Sequence, residues 1–166
     1  MIHILTSSKT ILKVDVRSQE SNPGDTAAVG LLDLRLKQKL ASDSFDEQQG
    51  YLSSAAISAR VSLNKLDQRQ RYRARVNLTS VSKEDFNFTK GSGSSGLGYA
   101  LALFESWWSL VLKKPGEIKC PVFATGEILT SGHVMPIKHL TDKLKSTCDY
   151  VDKNREAFSE FYLCYP

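Results

Sequence analysis

The chain is poor in cysteine, and none of it sits at metal-ligand spacing. Cys120, Cys148 and Cys164 are odd in number and far apart among 166 residues. That excludes a disulfide-stapled scaffold and a zinc cluster, and it reads as reduced thiols of a cytoplasmic protein. A long uninterrupted apolar run is also missing. The most apolar stretch, residues 97–112, is broken by Gly98, Glu105 and Ser106, so it reads as a core helix rather than a membrane span. The N-terminal residues lack the charged-then-apolar layout of a secretory signal. No internal repeat, low-complexity tail or Walker phosphate loop occurs, so an ATPase would have to lie in another segment or another chain. The net charge of +4 is mild: it is compatible with acidic partners and requires none.

What is present is an ordinary globular composition, 41% hydrophobic and 24% charged, in a chain long enough to bury one core. Residues 10–17 alternate apolar and charged from Leu12 and predict a half-buried strand. Residues 21–25, Ser-Asn-Pro-Gly-Asp, form a turn by composition. The apolar segment 26–40 contains a strand around Val29 to Leu36, with a helix start possible at 37–40. Capping residues at 42–44 precede a helix over 45–65, whose Ala55, Ala56 and Ala59 suit close packing on a sheet. The basic run at 69–75 contains Arg69, Arg71, Arg73 and Arg75. It can serve as a nucleic-acid patch, but Tyr72, Ala74, Val76 and Leu78 alternate with it, which favours the solvated face of an edge strand. Of the adjacent Trp107 and Trp108, one belongs in the core and the other at a contact surface, since neighbours on a helix face different ways. A strand over 121–128, a turn at 130–133, a return strand over 134–137 and a helix from 139 follow. That helix is expected to break near Thr147, and a last strand closes the chain at 161–166. The order of elements is that of a single two-layer α/β domain.

Everything turns on residues 90–104, Lys-Gly-Ser-Gly-Ser-Ser-Gly-Leu-Gly-Tyr-Ala-Leu-Ala-Leu-Phe. A glycine- and serine-rich loop feeds directly into a buried helix. Such a junction carries unpaired backbone N–H groups and a positive partial charge. It can cap itself, hold an anion, or present a nucleophile beside an oxyanion site.

A second stretch, residues 123–144, contains Thr125-Gly126-Glu127 and Gly132-His133-Val134-Met135-Pro136-Ile137. Together the two stretches resemble the proteolytic domain of the Lon family of ATP-dependent Ser-Lys proteases. In that family a loop reading Lys-Asp-Gly-Pro-Ser-Ala-Gly carries the nucleophile, and Ser94 falls on its serine. The family's Thr-Gly-Glu strand and Gly-x-Val-Leu-Pro-Ile turn match the second stretch. The resemblance implies the two-layer fold that Lon proteolytic domains share with magnesium-chelatase-like proteins and galactokinase-type kinases. It implies that the 166 residues are a fragment of a longer chain. It also implies that Thr125 and residues 138–145 approach the Ser94 loop. Unfolded protein or peptide is the substrate it implies, with an ATPase domain or subunit as partner. ATP is used only there, so no cofactor is expected in this domain, and homo-oligomeric rings are common in the family.

After Pro-Ile the family reads Gly-Gly-Leu-Lys-Glu-Lys-Leu, against Lys138-His139-Leu140-Thr141-Asp142-Lys143-Leu144 here. With the motif's first lysine taken as the general base, Thr141 stands in its place, and a hydroxyl cannot serve as a base near neutral pH. The dyad then looks incomplete, and a neighbouring lysine must substitute. At about 100° per residue, Lys145 points about 40° and Lys138 about 60° from position 141, whereas Lys143 points about 200° away. Lys145 and Lys138 are therefore the candidates, with His139 a further possible base. Whichever lysine acts, its pKa must fall roughly three units from about 10.4, on the order of 4 kcal/mol of desolvation.

Three functions follow: a Lon-like serine peptidase with Ser94 as nucleophile and a displaced base, a Lon-like domain without catalysis that serves as an assembly module, or a nucleic-acid-binding domain using Arg69 to Arg75. Neither a membrane nor a bound metal is expected.

Overall fold

A computed structural model describes residues 1–6, 10–20, 32–36, 42–64, 72–81, 93–114 and 119–166. The turn at 21–25, the helix start at 37–40, Arg69 and Arg71, and the loop at 90–92 lie outside them.

Among the described residues a six-stranded mixed sheet has the order β3-β4-β2-β1-β5-β8. Its strands are β1 (Ile2–Leu5), β2 (Ile11–Glu20), β3 (Leu32–Leu36), β4 (Tyr72–Ser80), β5 (Val122–Ala124) and β8 (Tyr162–Cys164). β2 runs antiparallel to both β1 and β4, while β3–β4, β1–β5 and β5–β8 are parallel. β6 (Glu127–Ile128) and β7 (Val134–Met135) form a separate small hairpin. The helices are α1 (Ser42–Asn64), α2 (Gly96–Leu112) and α3 (Leu140–Lys153). The chain is thus of mixed α/β class.

The main core lies where α1 and α2 cover one face of the sheet. Ile2, Ile4, Leu12, Val14, Val76 and Leu78 meet Leu52, Ala55, Tyr99 and Leu103 there. α2 crosses β1 so closely that a Cβ on Gly98 would overlap the Ile4 side chain, which is why the start of this helix is glycine-rich. On the opposite face Leu5, Ile11 and Phe123 pack with Val151 of α3. β1 is therefore covered on both faces and buried throughout. Strands of that kind carry no polar alternation, so the short run Ile-His-Ile-Leu does not announce itself as a strand. β2 and β4 do alternate: Ala74, Val76 and Leu78 are buried and Arg75 is exposed.

Three expectations are corrected. β4 is not an edge strand, because β3 and β2 flank it on both sides. The strand over 121–128 is two pieces, interrupted at Thr125–Gly126 where the chain leaves the sheet for the hairpin. α3 does not break near Thr147. The Thr147 hydroxyl donates to the Lys143 carbonyl at 3.0 Å, a bond that lies within the helix and leaves it continuous. Trp107 is buried, and Trp108 is half-buried, stacked on Phe104 at 5.9 Å.

Candidate active site

Ser94 sits at the centre of a 3-10 turn, Gly93–Ser95, that runs directly into α2. The turn is stitched to the segment after β5: the Gly126 N–H donates to the Ser94 carbonyl and the Leu97 N–H to the Gly126 carbonyl, both at 2.9 Å. Glycine at 96 permits this closeness, since a Cβ there would stand 3.0 Å from the Ile128 backbone nitrogen. Ser94 itself is buried, with 8% of its surface exposed.

The residue that meets it is Lys143. Its Nζ lies 2.7 Å from Ser94 Oγ and 3.2 Å from Thr125 Oγ1. The Thr125 hydroxyl in turn donates to the Leu5 carbonyl at 3.4 Å. With its hydrogen committed to that carbonyl, Thr125 offers a lone pair to the lysine. This steers one N–H of Lys143 away from Ser94 and leaves the amine aimed at the serine. Lys143 is 4% exposed, and no ion pair between it and a carboxylate occurs among the described residues. Burial alone lowers its pKa to about 8. Without a carboxylate to hold the charge, desolvation favours the neutral amine.

The structure therefore brings to Ser94 a different lysine from those selected by helical angle. Thr141, Lys145 and Lys138 are exposed. His139 is exposed as well and faces Asp142 at 3.8 Å. The lysine set aside by its helical angle is the one that reaches the serine. The angle itself is sound, but the reference direction was wrong: position 141 lies on the solvent face of α3. The buried face is Lys143, Thr147 and Val151, a stripe at i, i+4 and i+8. That spacing is visible in the sequence and is the signal that points to Lys143.

The first turn of α3 is held in an unusual way. His139, its N-cap, adopts a left-handed conformation with φ 57° and ψ 34°, and its carbonyl accepts the Lys143 N–H at 3.2 Å. This position corresponds to the second glycine of the Gly-Gly pair in the resemblance, and left-handed geometry is where glycine is preferred.

A groove of about 560 Å³ opens between α1 and the β6–β7 hairpin, lined by Glu47, Gly50, Tyr51, Glu127 and Ile128 among others. It adjoins the serine turn, because a Cβ on Gly93 would stand 2.9 Å from the Tyr51 ring and 3.1 Å from the Glu127 carboxyl carbon. Of the basic run, Arg75 is exposed on β4, and Ser94 lies elsewhere, beyond the end of β5. Among the described residues no cluster of three or more potential metal ligands occurs, and no helix is long and apolar enough to cross a membrane.

No protein-family model matches the chain, and a search of curated proteins returns no significant match.

Proposed function

We propose that the chain is a Lon-like Ser-Lys peptidase domain with Ser94 as nucleophile and Lys143 as general base. The observation that carries this reading is the 2.7 Å contact between a buried, partner-poor lysine amine and a buried serine hydroxyl. A lysine whose charge is not offset, set against a serine at a helix start, is the arrangement that activates a hydroxyl without a histidine.

Neutral Lys143 takes the Ser94 proton as Oγ attacks the carbonyl carbon of a peptide bond. The resulting ammonium then gives that proton to the leaving amine, so the peptide C–N bond breaks and an acyl-serine remains. Water, deprotonated by the same amine, hydrolyses the ester and frees Ser94. The positive end of α2 lies beside the turn and favours the oxyanion that develops on the carbonyl oxygen. The groove beside Gly93 offers room for residues flanking the scissile bond.

Support for the family beyond the dyad comes from placement. Thr125 of Thr-Gly-Glu touches the lysine, Val134–Met135 returns to pair with Glu127–Ile128, and His139 occupies a glycine-type position. Lys143, on this reading, aligns with the second lysine of the family's Lys-Glu-Lys. On this reading the substrate is unfolded protein or peptide, delivered by an ATPase domain or subunit, and the domain works in an oligomer.

The test is labelling by a fluorophosphonate, with peptide or casein hydrolysis alongside. Wild-type protein should be labelled at Ser94, and both Ser94→Ala and Lys143→Met should abolish the signal. Labelling that is absent up to pH 9, or that persists undiminished in Lys143→Met, would refute the peptidase reading and leave an assembly module.

A further inference from the structure

The residue after the nucleophile is a serine whose hydroxyl points away from the chemistry. Ser95 is the N-cap of α2, where a serine side chain ordinarily accepts a bond from the second or third helical N–H. It makes no such bond, because its own backbone is already helical, with φ −77° and ψ −19°. Its hydroxyl donates instead across 47 residues of sequence to the side-chain carbonyl of Gln48, at 2.8 Å. One helical turn further along α2, the Tyr99 hydroxyl donates to the same oxygen at 3.1 Å. Gln48 is wholly buried on α1, Tyr99 is wholly buried, and Ser95 is 1% exposed.

We propose that Gln48 is a positioning residue for the nucleophile: its carbonyl gathers the Ser95 and Tyr99 hydroxyls and so fixes the turn that holds Ser94 against Lys143. This inference rests on the peptidase reading above. The turn is clamped from two sides. The Gly126 N–H holds the Ser94 carbonyl from the hairpin side, and Gln48 holds Ser95 from the α1 side. A carbonyl oxygen has two lone pairs and can accept both hydroxyls without a buried charge. The dyad depends on registry between two elements far apart in sequence, and a displacement of about 1 Å can cost on the order of 10²-fold in rate.

The test uses the whole chain and three variants. Gln48→Met keeps the length of the side chain and removes the acceptor. Gln48→Glu keeps an acceptor for both hydroxyls. The triple variant Gln48→Met/Ser95→Ala/Tyr99→Phe also removes the two buried hydroxyls that the Gln48 oxygen accepts. Gln48→Met should lower kcat, and the fluorophosphonate labelling rate of Ser94, by between about 10- and 100-fold, with KM unchanged. Gln48→Glu should recover most of the loss. The triple variant should recover thermal stability without recovering rate, and it decides the matter if Gln48→Met alone does not fold. Wild-type labelling of Ser94 in folded Gln48→Met, or joint recovery of stability and rate in the triple variant, would overturn the positioning role while leaving the peptidase intact. An unlabelled wild type would take down both.

Discussion

Lys143 Nζ stands 2.7 Å from Ser94 Oγ across 49 residues of sequence, and both groups are buried. The first turn of α3 is thereby joined to the turn that starts α2. Burial holds the lysine pKa at about 8, within reach of neutral pH.

Acylation of Ser94 should therefore rise with pH and level off, with a midpoint near 8. The active form is the neutral amine, whose population grows as pH passes the pKa. Fluorophosphonate labelling rates measured from pH 6 to 10 give the curve. Lys143→Arg should flatten it at a low rate, since guanidinium does not deprotonate in this range. A rate independent of pH would show that Lys143 is not the base.

Removing the lysine should cost activity and add stability. Lys143→Met should reduce hydrolysis by about 10²–10⁴-fold, the usual share of a general base. It should also raise the melting temperature, because it removes a buried charge without an ionic partner. Each kcal/mol gained corresponds to about 2–4 °C at this size. In the wild type, the folded pKa near 8 lies below the ordinary 10.5, so the unfolded chain binds the extra proton between those values. Wild-type stability should then climb with pH across that window, and Lys143→Met should lose the climb. Calorimetry at pH 7 and pH 9.5 checks both.

Thr141→Lys should leave hydrolysis unchanged. Position 141 is exposed, on the side of α3 away from the Thr147–Val151 stripe, and a lysine there remains solvated and charged. A rise in kcat of tenfold or more would return the base to position 141.

His3 should make the protein sensitive to acid. It is buried in β1 and stacked on Phe123 at 4.7 Å, and its Nδ1 finds no partner among the described residues. Burial, followed by the charges of the N-terminal amine and Lys13, lowers its pKa from 6.5 to about 4. The unfolded chain gains a proton near 6.5 that the folded chain refuses until about 4. The contribution is neutral above that window, and stability falls as pH drops through it, by up to about 3 kcal/mol. His3→Phe should shift the acid-unfolding midpoint downward, as read by circular dichroism. An unchanged midpoint would show that His3 is protonated in the fold.

His139→Gly should stabilise the chain by about 1 kcal/mol, since left-handed backbone costs an L-residue about that much. Hydrolysis should survive, because the carbonyl that receives the Lys143 N–H belongs to the backbone. Chemical denaturation supplies the stability measurement. A loss of stability would mean that the exposed imidazole contributes more through Asp142 than its backbone costs.

Period and composition settle a good deal by themselves. The apolar alternation of β2 and β4, the long α1 and the glycine-led apolar helix α2 are legible because each shows one face to a core and one to solvent. Ser94 is legible only through the two motifs taken together, because by itself a serine among glycines just ahead of a buried helix is ordinarily a cap. β1 is not legible, because a strand covered on both faces has no alternation to read, and four residues are too few to set a pattern. Nor does the motif tell which lysine meets Ser94. Helical angle fixes the directions of Thr141, Lys143 and Lys145 relative to one another but not the face that turns inward. That face is chosen by what α3 packs against, namely Leu5, Ile11 and Phe123 on the back of the sheet. Once Val151 is buried there, the helical repeat carries Thr147 and Lys143 inward with it. The lysine loses its water, and only then does an ordinary surface residue become a candidate base.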